Sequence, residues 1–236
     1  LVTAATVATP TPSAAATAGT TLTQALVAAV EDDPDSPAIL SDDDELSYHD
    51  LETRSSRLAR VLIARGCGPG AGVAVRLDRG VEAVVATWAV LKTGAAVVPL
   101  DIHDAALPED LEIKTGLTLG DTHTGALDWL ALDDPDLTAE IAAESPRPVT
   151  YAHRTRALRG SDPAFAGEQI LSYDDLAAAA AQVRDRDGLT YESEIPYRGE
   201  AGSSEGVIEL VAAGMAGAAV VLDAEGEVLT DECVTG

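Results

Sequence analysis

Aromatic side chains are scarce in this chain, with one Phe, two Trp and five Tyr among 236 residues, although 46% of the residues are hydrophobic. A core must therefore be built mainly from Ala, Val and Leu. Cations are scarce too. Fifteen Lys and Arg stand against 40 Asp and Glu, a formal charge of -25, which disfavours nucleic acid and anionic membrane as partners. The carboxylate excess suits either a solvated surface or one that docks a basic partner. The two cysteines, Cys67 and Cys233, lie far apart with no CxxC spacing, so neither a disulfide framework nor a zinc site is indicated. His49, His103, His123 and His153 show no ligand spacing and read as surface or capping residues. No GxSxG elbow occurs. No apolar run reaches the length of a membrane span, and the cytoplasm is the expected compartment.

Residues 1–20 contain Ala, Thr and Pro in abundance and no charge, the composition of an interdomain linker. A regular pattern begins at Thr21, with a helix expected over Leu22 to Val30 and a stop at Asp33-Pro34-Asp35. An acidic turn at Asp42-Asp43-Asp44 between two short apolar runs predicts a hairpin. Ser47 followed by Asp50 predicts a capped helix running to Arg65. Val73 to Leu77, a helix carrying Val81, Val84, Val85 and Trp88 on one face, and Ala95 to Pro99 make a parallel strand, helix, strand unit. Further strands are expected at Leu117 to Leu119, Trp129 to Leu132 and Ala218 to Leu222, and helices at Pro135 to Ala143, after Ser172, and over Glu205 to Ala213. Lys92 is expected to close its helix at Gly94, where a cation suits the dipole. Gly199 to Gly206 reads as an ordinary loop and helix cap.

Two segments are especially specific: Leu46-Ser47-Tyr48-His49-Asp50-Leu51, and Leu91-Lys92-Thr93-Gly94 continuing through Val97-Val98-Pro99-Leu100-Asp101. Together with Arg57-Leu58-Ala59, Gly68-Pro69-Gly70 and Asp162-Pro163-Ala164-Phe165, they resemble the opening motifs of the adenylation domains of nonribosomal peptide synthetases. The resemblance implies an α/β fold, the truncated N-terminal portion of an adenylate-forming enzyme, spanning residues 21–236. A weak repeat relates Leu46-Ser47-Tyr48 to Leu171-Ser172-Tyr173, and Gly94-Ala95-Ala96-Val97-Val98 to Gly217-Ala218-Ala219-Val220-Val221. It suits two similar α/β subdomains, 21–165 and 166–236, or chance likeness of Ala-rich segments.

The same resemblance directs attention to what departs from it. The family's Ser/Thr/Gly-rich phosphate loop, ending in Pro-Lys-Gly, is replaced by Ala166-Gly167-Glu168-Gln169, and no lysine follows Lys114. The position of the substrate-gripping Asp falls at or near Ser204, and Gly236 precedes the family's later motifs. The expectation is accordingly a non-catalytic pseudo-adenylation domain serving as a structural or docking element. No catalytic, cofactor-binding or metal-ligating residue is assigned, and no cofactor. The alternative is part of an amino-acid-activating ligase that forms an acyl-AMP and loads it onto phosphopantetheine, completed by other segments. A stand-alone acidic binding module is a third reading. Expected partners are neighbouring condensation, carrier or adenylation domains, and a MbtH-like protein. An exposed apolar sheet patch and self-association through it are also expected.

Overall fold

The computed structural model describes residues 18–41, 44–100, 108, 111–120, 127–197 and 203–222, with only the backbone described for 18–21. The first seventeen residues of the expected linker, His103, His123, Cys233, Asp101 and the first half of the Gly199 to Gly206 loop lie outside these. The expected linker boundary at residue 20 moves, because the first helix, α1, already covers Ala18–Asp32.

A hairpin follows, β1 (Pro37–Ser41) and β2 (Glu45–Ser47), then α2 (Tyr48–Ala64). Ser47 caps α2 reciprocally: its hydroxyl accepts from the Asp50 N–H while the Asp50 carboxylate accepts from the Ser47 N–H. β3 (Ala71–Arg76), α3 (Val81–Thr93) and β4 (Ala96–Pro99) form the expected parallel crossover. Gly94 ends α3 at φ 89, and an added Cβ would also sit 2.7 Å from Pro69. Helix α3 departs from the one-faced pattern: Val84 through Thr93 are buried without interruption. It packs on β3, β4 and α2, and Trp88 reaches the other half of the chain.

β5 (Glu112–Thr118), β6 (Asp128–Ala131) and α4 (Pro135–Ala143) come next, then a 3-10 turn at Tyr151–His153. His153 fits the capping role, its Nδ1 accepting from the Thr150 N–H at 3.0 Å. A second hairpin, β7 (Pro163–Ala166) with β8 (Ile170–Ser172), leads into α5 (Tyr173–Asp187), capped by Ser172 and Asp175 as Ser47 and Asp50 cap α2. β9 (Glu194–Pro196), α6 (Ser204–Ala216) and β10 (Ala219–Leu222) complete the described elements. No strand is predicted at β7, β8 or β9. Each is three or four residues long, too short for alternation to register, and β9 carries a proline that only an edge strand accepts.

Two sheets result, β6-β5-β3-β4-β7-β8 and β2-β1-β10-β9. In the first, β6, β5, β3, β4 and β7 are mutually parallel. The pairing joins parts far apart in the chain: β1 adds to β10, and β7 adds to β4. The residue 165/166 division falls inside β7. Two tyrosines also join distant parts. The buried Tyr48 hydroxyl contacts Ala218 O at 2.8 Å and Ala213 O at 3.2 Å, at the end of α6. Tyr173 contacts Leu91 O and Ala95 O, both at 3.0 Å, at the end of α3. Burial raises both phenols above their ordinary range, so each stays protonated and donates at a helix end, adding to the backbone N–H groups of Gly217 and Ala218 that already reach Ala213 O and of Gly94 that reaches Leu91 O.

Lys92 departs from its expected role. Its side chain is 2% exposed and turns away from the α3 terminus toward α2, where Nζ meets the Glu52 carboxylate at 2.7 Å. It also donates to Ser55 Oγ at 2.7 Å, Ser56 Oγ at 3.0 Å and Glu52 O at 3.1 Å. A buried ammonium needs this full set of acceptors, and the helix dipole alone would not hold it there. The terminal Lys92 carbonyl is instead taken by Arg154 Nε at 3.0 Å.

Candidate functional site

In an open parallel sheet, ligands bind outside the carboxyl ends of the strands, near the point where strand order reverses. Here β3 is followed by β4 on one side and by β5 and then β6 on the other. The relevant edge carries Arg76 at the end of β3, Leu77 to Arg79 beyond it, Leu100 after β4, and the Gly167-Glu168-Gln169 turn after β7.

The second sheet faces the same edge. Gln169 Nε2 donates to Ser204 Oγ at 3.1 Å, joining the β7–β8 turn to the start of α6. The Arg79 guanidinium lies 5.8 Å from the Tyr197 ring, just past β9. Burial raises the Tyr197 phenol above its usual value, Arg79 offsets this in part, and Glu209 adds to it. On the outer side, Trp129 lies flat over Gly116, where a Cβ would stand 2.5 Å from its ring, and Arg76 stacks on that ring at 4.7 Å.

The α6 start is well formed. Ser203 caps it by accepting from the Gly206 N–H at 3.2 Å. Ser204 carries a hydroxyl where the resemblance places a carboxylate, and that hydroxyl is bonded to Gln169. Behind it a cavity of about 280 Å³ is lined by Glu205, Ile208 and Glu209 of α6 with Val183, Leu189 and Ile195. Glu205 and Glu209 stand one helical turn apart, on neighbouring positions of one face. The Arg186 and Asp187 side chains at its rim bond to each other at 2.7 Å. The lining thus combines acidic groups with an apolar wall, and the Arg186 guanidinium lies in the field of Glu205 and Glu209.

The β7–β8 turn has no lysine and presents Glu168 to solvent. Its residues do not fit a triphosphate, whose binding calls for several N–H donors and a cation. Among the described residues no group of three His, Cys, Asp or Glu is placed to hold a metal ion, and no helix is long and apolar enough to cross a membrane. The sequence reading singled out Ser204 but passed over Gln169, Tyr197, Arg79, Glu205 and Glu209 as site residues. Their convergence depends on the exchange of strands between the two sheets, which leaves no local signal.

Comparisons with known proteins agree with this architecture. Residues 26–110 match the family model of the AMP-binding enzymes. Over 235 aligned residues the chain is 31% identical to novobiocin biosynthesis protein H of Streptomyces niveus, covering 87% of this chain and 38% of that protein. Among solved structures it resembles the nonribosomal peptide synthetase FmoA3 in its alpha-methyl-L-serine-AMP bound form, with a TM-score of 0.73, 21% identity, and coverage of 91% of this chain and 24% of that one. It also resembles VinN in complex with 3-methylaspartate, with a TM-score of 0.71, 17% identity, and coverage of 86% and 61%.

The chain therefore has the α/β fold of the adenylate-forming class, and residues 26–110 are similar to the AMP-binding enzymes. It is related to the adenylation domains of nonribosomal peptide synthetases, and it spans less than two thirds of the length of each of these relatives. The expected non-catalytic docking element is corrected by these comparisons. Of this chain, 91% follows the fold of FmoA3 and 86% that of VinN, so the missing loop residues do not mark a departure from the fold, and the comparisons favour the alternative reading over the docking element. The short connection between β7 and β8 leaves both strands paired at one edge of the six-stranded sheet.

Proposed function

We propose that this chain is part of an amino-acid-activating adenylate-forming ligase, with the remaining machinery supplied by segments outside the described residues. In such a reaction a carboxylate oxygen bonds to the α-phosphorus of ATP, the bond to pyrophosphate breaks, and an acyl adenylate results. The chain's share is the scaffold and one wall of the acid-binding site. The carrying observation is the meeting of Gln169, Ser204 and the acidic cavity of Glu205 and Glu209 at the carboxyl edge of a fold also found in amino-acid-bound chains. In this reading Glu205 and Glu209 receive the substrate ammonium in place of the carboxylate absent at Ser204, and the triphosphate is held elsewhere. Neighbouring synthetase domains are its partners.

The test is amino-acid-dependent exchange of pyrophosphate into ATP by the natural polypeptide carrying this chain, across a panel of amino acids and their des-amino analogues. Exchange with an amino acid, and a rise in its KM in Glu209→Gln, is the expected result. A folded polypeptide that supports no exchange with any acid would overturn the proposal.

A further inference from the structure

Helices α1 and α6 both end at one groove of about 530 Å³, at the opposite end of α6 from Ser204. Its wall is made of small groups: Ala25, Ala28 and Ala29 from α1, and Ala216 and Gly217 from the end of α6. Ala25, Ala28, Ala29 and Asp32 follow i, i+3, i+4, i+7 spacing, so they form one stripe along about two turns of α1. Met215 lines the groove as well, and Tyr191, 67% exposed, stands at its margin. A trough lined by methyl groups and backbone leaves room for larger apolar side chains from outside.

The electrostatics identify the occupant. The α6 end is capped by the Tyr48 hydroxyl, which also lines the groove, whereas α1 has no basic residue in its last turn and ends on Asp32. Asp32 and Asp33 line the same end of the groove and add carboxylates where a helix terminus disfavours them. Among the described residues neither is in an ion pair. The one cation in the lining, Arg184, holds Asp185 through contacts of 2.7 and 2.9 Å. An anion would be repelled, and a small cation would leave the apolar trough empty.

We infer that this groove docks a basic amphipathic helix of a partner protein. Its apolar side chains occupy the trough along α1, and a Lys or Arg meets Asp32, Asp33 and the carbonyl end of α1. The site is separate from the adenylation reading and stands whether or not that reading holds.

The experiment measures fluorescence anisotropy of labelled peptides of about 18 residues, long enough to lie as a helix along the groove. One carries Leu at i, i+3, i+4 and i+7 with Lys elsewhere. A second has the same composition in scrambled order, and a third has Glu for Lys. The amphipathic Lys peptide is expected to bind in preference to both others, and Ala28→Trp and Asp32→Lys with Asp33→Lys should each weaken it about tenfold or more. Ala28→Trp fills the trough without changing charge and lies on an exposed helix face, so the variant should melt like the parent. Equal binding of the scrambled peptide would reduce the effect to the net charge of -25 and overturn the inference. Unchanged binding by Ala28→Trp would overturn it too.

Discussion

Replacing Lys92 by Met separates two contributions that ordinary packing arguments merge. The substitution keeps most of the volume but removes the 2.7 Å ion pair and three hydrogen bonds, leaving the Glu52 carboxylate 5% exposed and without its counter-charge. Stranding a buried charge in this way destabilises by about 3–5 kcal/mol. In a domain of this size that lowers Tm by roughly 6–20 °C. Glu52→Leu alone strands the ammonium at similar cost. The double variant should recover most of the loss, because no charge remains, and the Ser56 hydroxyl can turn from the Glu52 carboxylate to the carbonyl of Glu52 that Lys92 vacates. Urea and thermal melts of the four proteins give the coupling energy directly. A single Lys92→Met variant within about 1 kcal/mol of the parent, or a double variant as unstable as the two singles summed, would refute the assignment. A pH series adds an independent check. Burial lowers the Lys92 ammonium from its ordinary 10.5 to about 8, with Glu52 offsetting part of that effect. Between those values the unfolded chain holds the proton and the folded chain does not, so stability gains a rising component from about pH 8 to 10.5. Lys92→Met should lack that component.

Three further outcomes are expected. Tyr48→Phe and Tyr173→Phe should each lower stability by about 0.5–1.5 kcal/mol by removing a buried hydroxyl donor from the carbonyls of Ala218 and Ala95, and the double variant should be close to additive because the two sites are at different helix ends, which chemical melts can check. Gly94→Ala should be destabilising, because it places a side chain at φ 89 and within 2.7 Å of Pro69, and a Tm matching the parent would count against the α3–Pro69 contact. At Asp162, burial alone would raise the carboxyl, but Arg156 and the Arg159 N–H outweigh it and hold the group below its usual range. Its contribution is present above the unfolded value and fades as pH falls through the folded one, so Asp162→Asn should flatten the acid limb of stability below about pH 5 in equilibrium unfolding.

Local chemistry made much of the fold legible. The Ser47–Asp50 and Ser172–Asp175 boxes located two helix starts and Gly94 one helix end, because caps act over three or four residues, whereas α6, expected to stop at Ala213, runs on to Ala216 before Gly217 ends it. The β3–α3–β4 crossover followed from short apolar runs separated by a periodic helix. Three things were not legible for a common reason. The strands β7 to β9 draw their stability from partners far along the chain, the Lys92–Glu52 pair joins residues forty positions apart, and the Ser204 edge is assembled from four connections. The functional inference from Ala166 to Gln169 went astray because loop length is a local observation, while the integrity of the domain is carried by long-range pairing that a single connection does not report.

That long-range pairing also sets a schedule for synthesis. Ile39 in β1 takes its parallel neighbour at Val220, about 180 residues later. At the ordinary pace of translation, the first hairpin waits roughly 10–35 s with one edge unpaired before β10 emerges. Its two strands are short and are bordered by acidic residues, a composition that discourages pairing with another nascent chain on the same ribosome-laden message. The carboxylates that cost the finished protein some electrostatic repulsion thereby guard the opening hairpin while it waits for its partner strand.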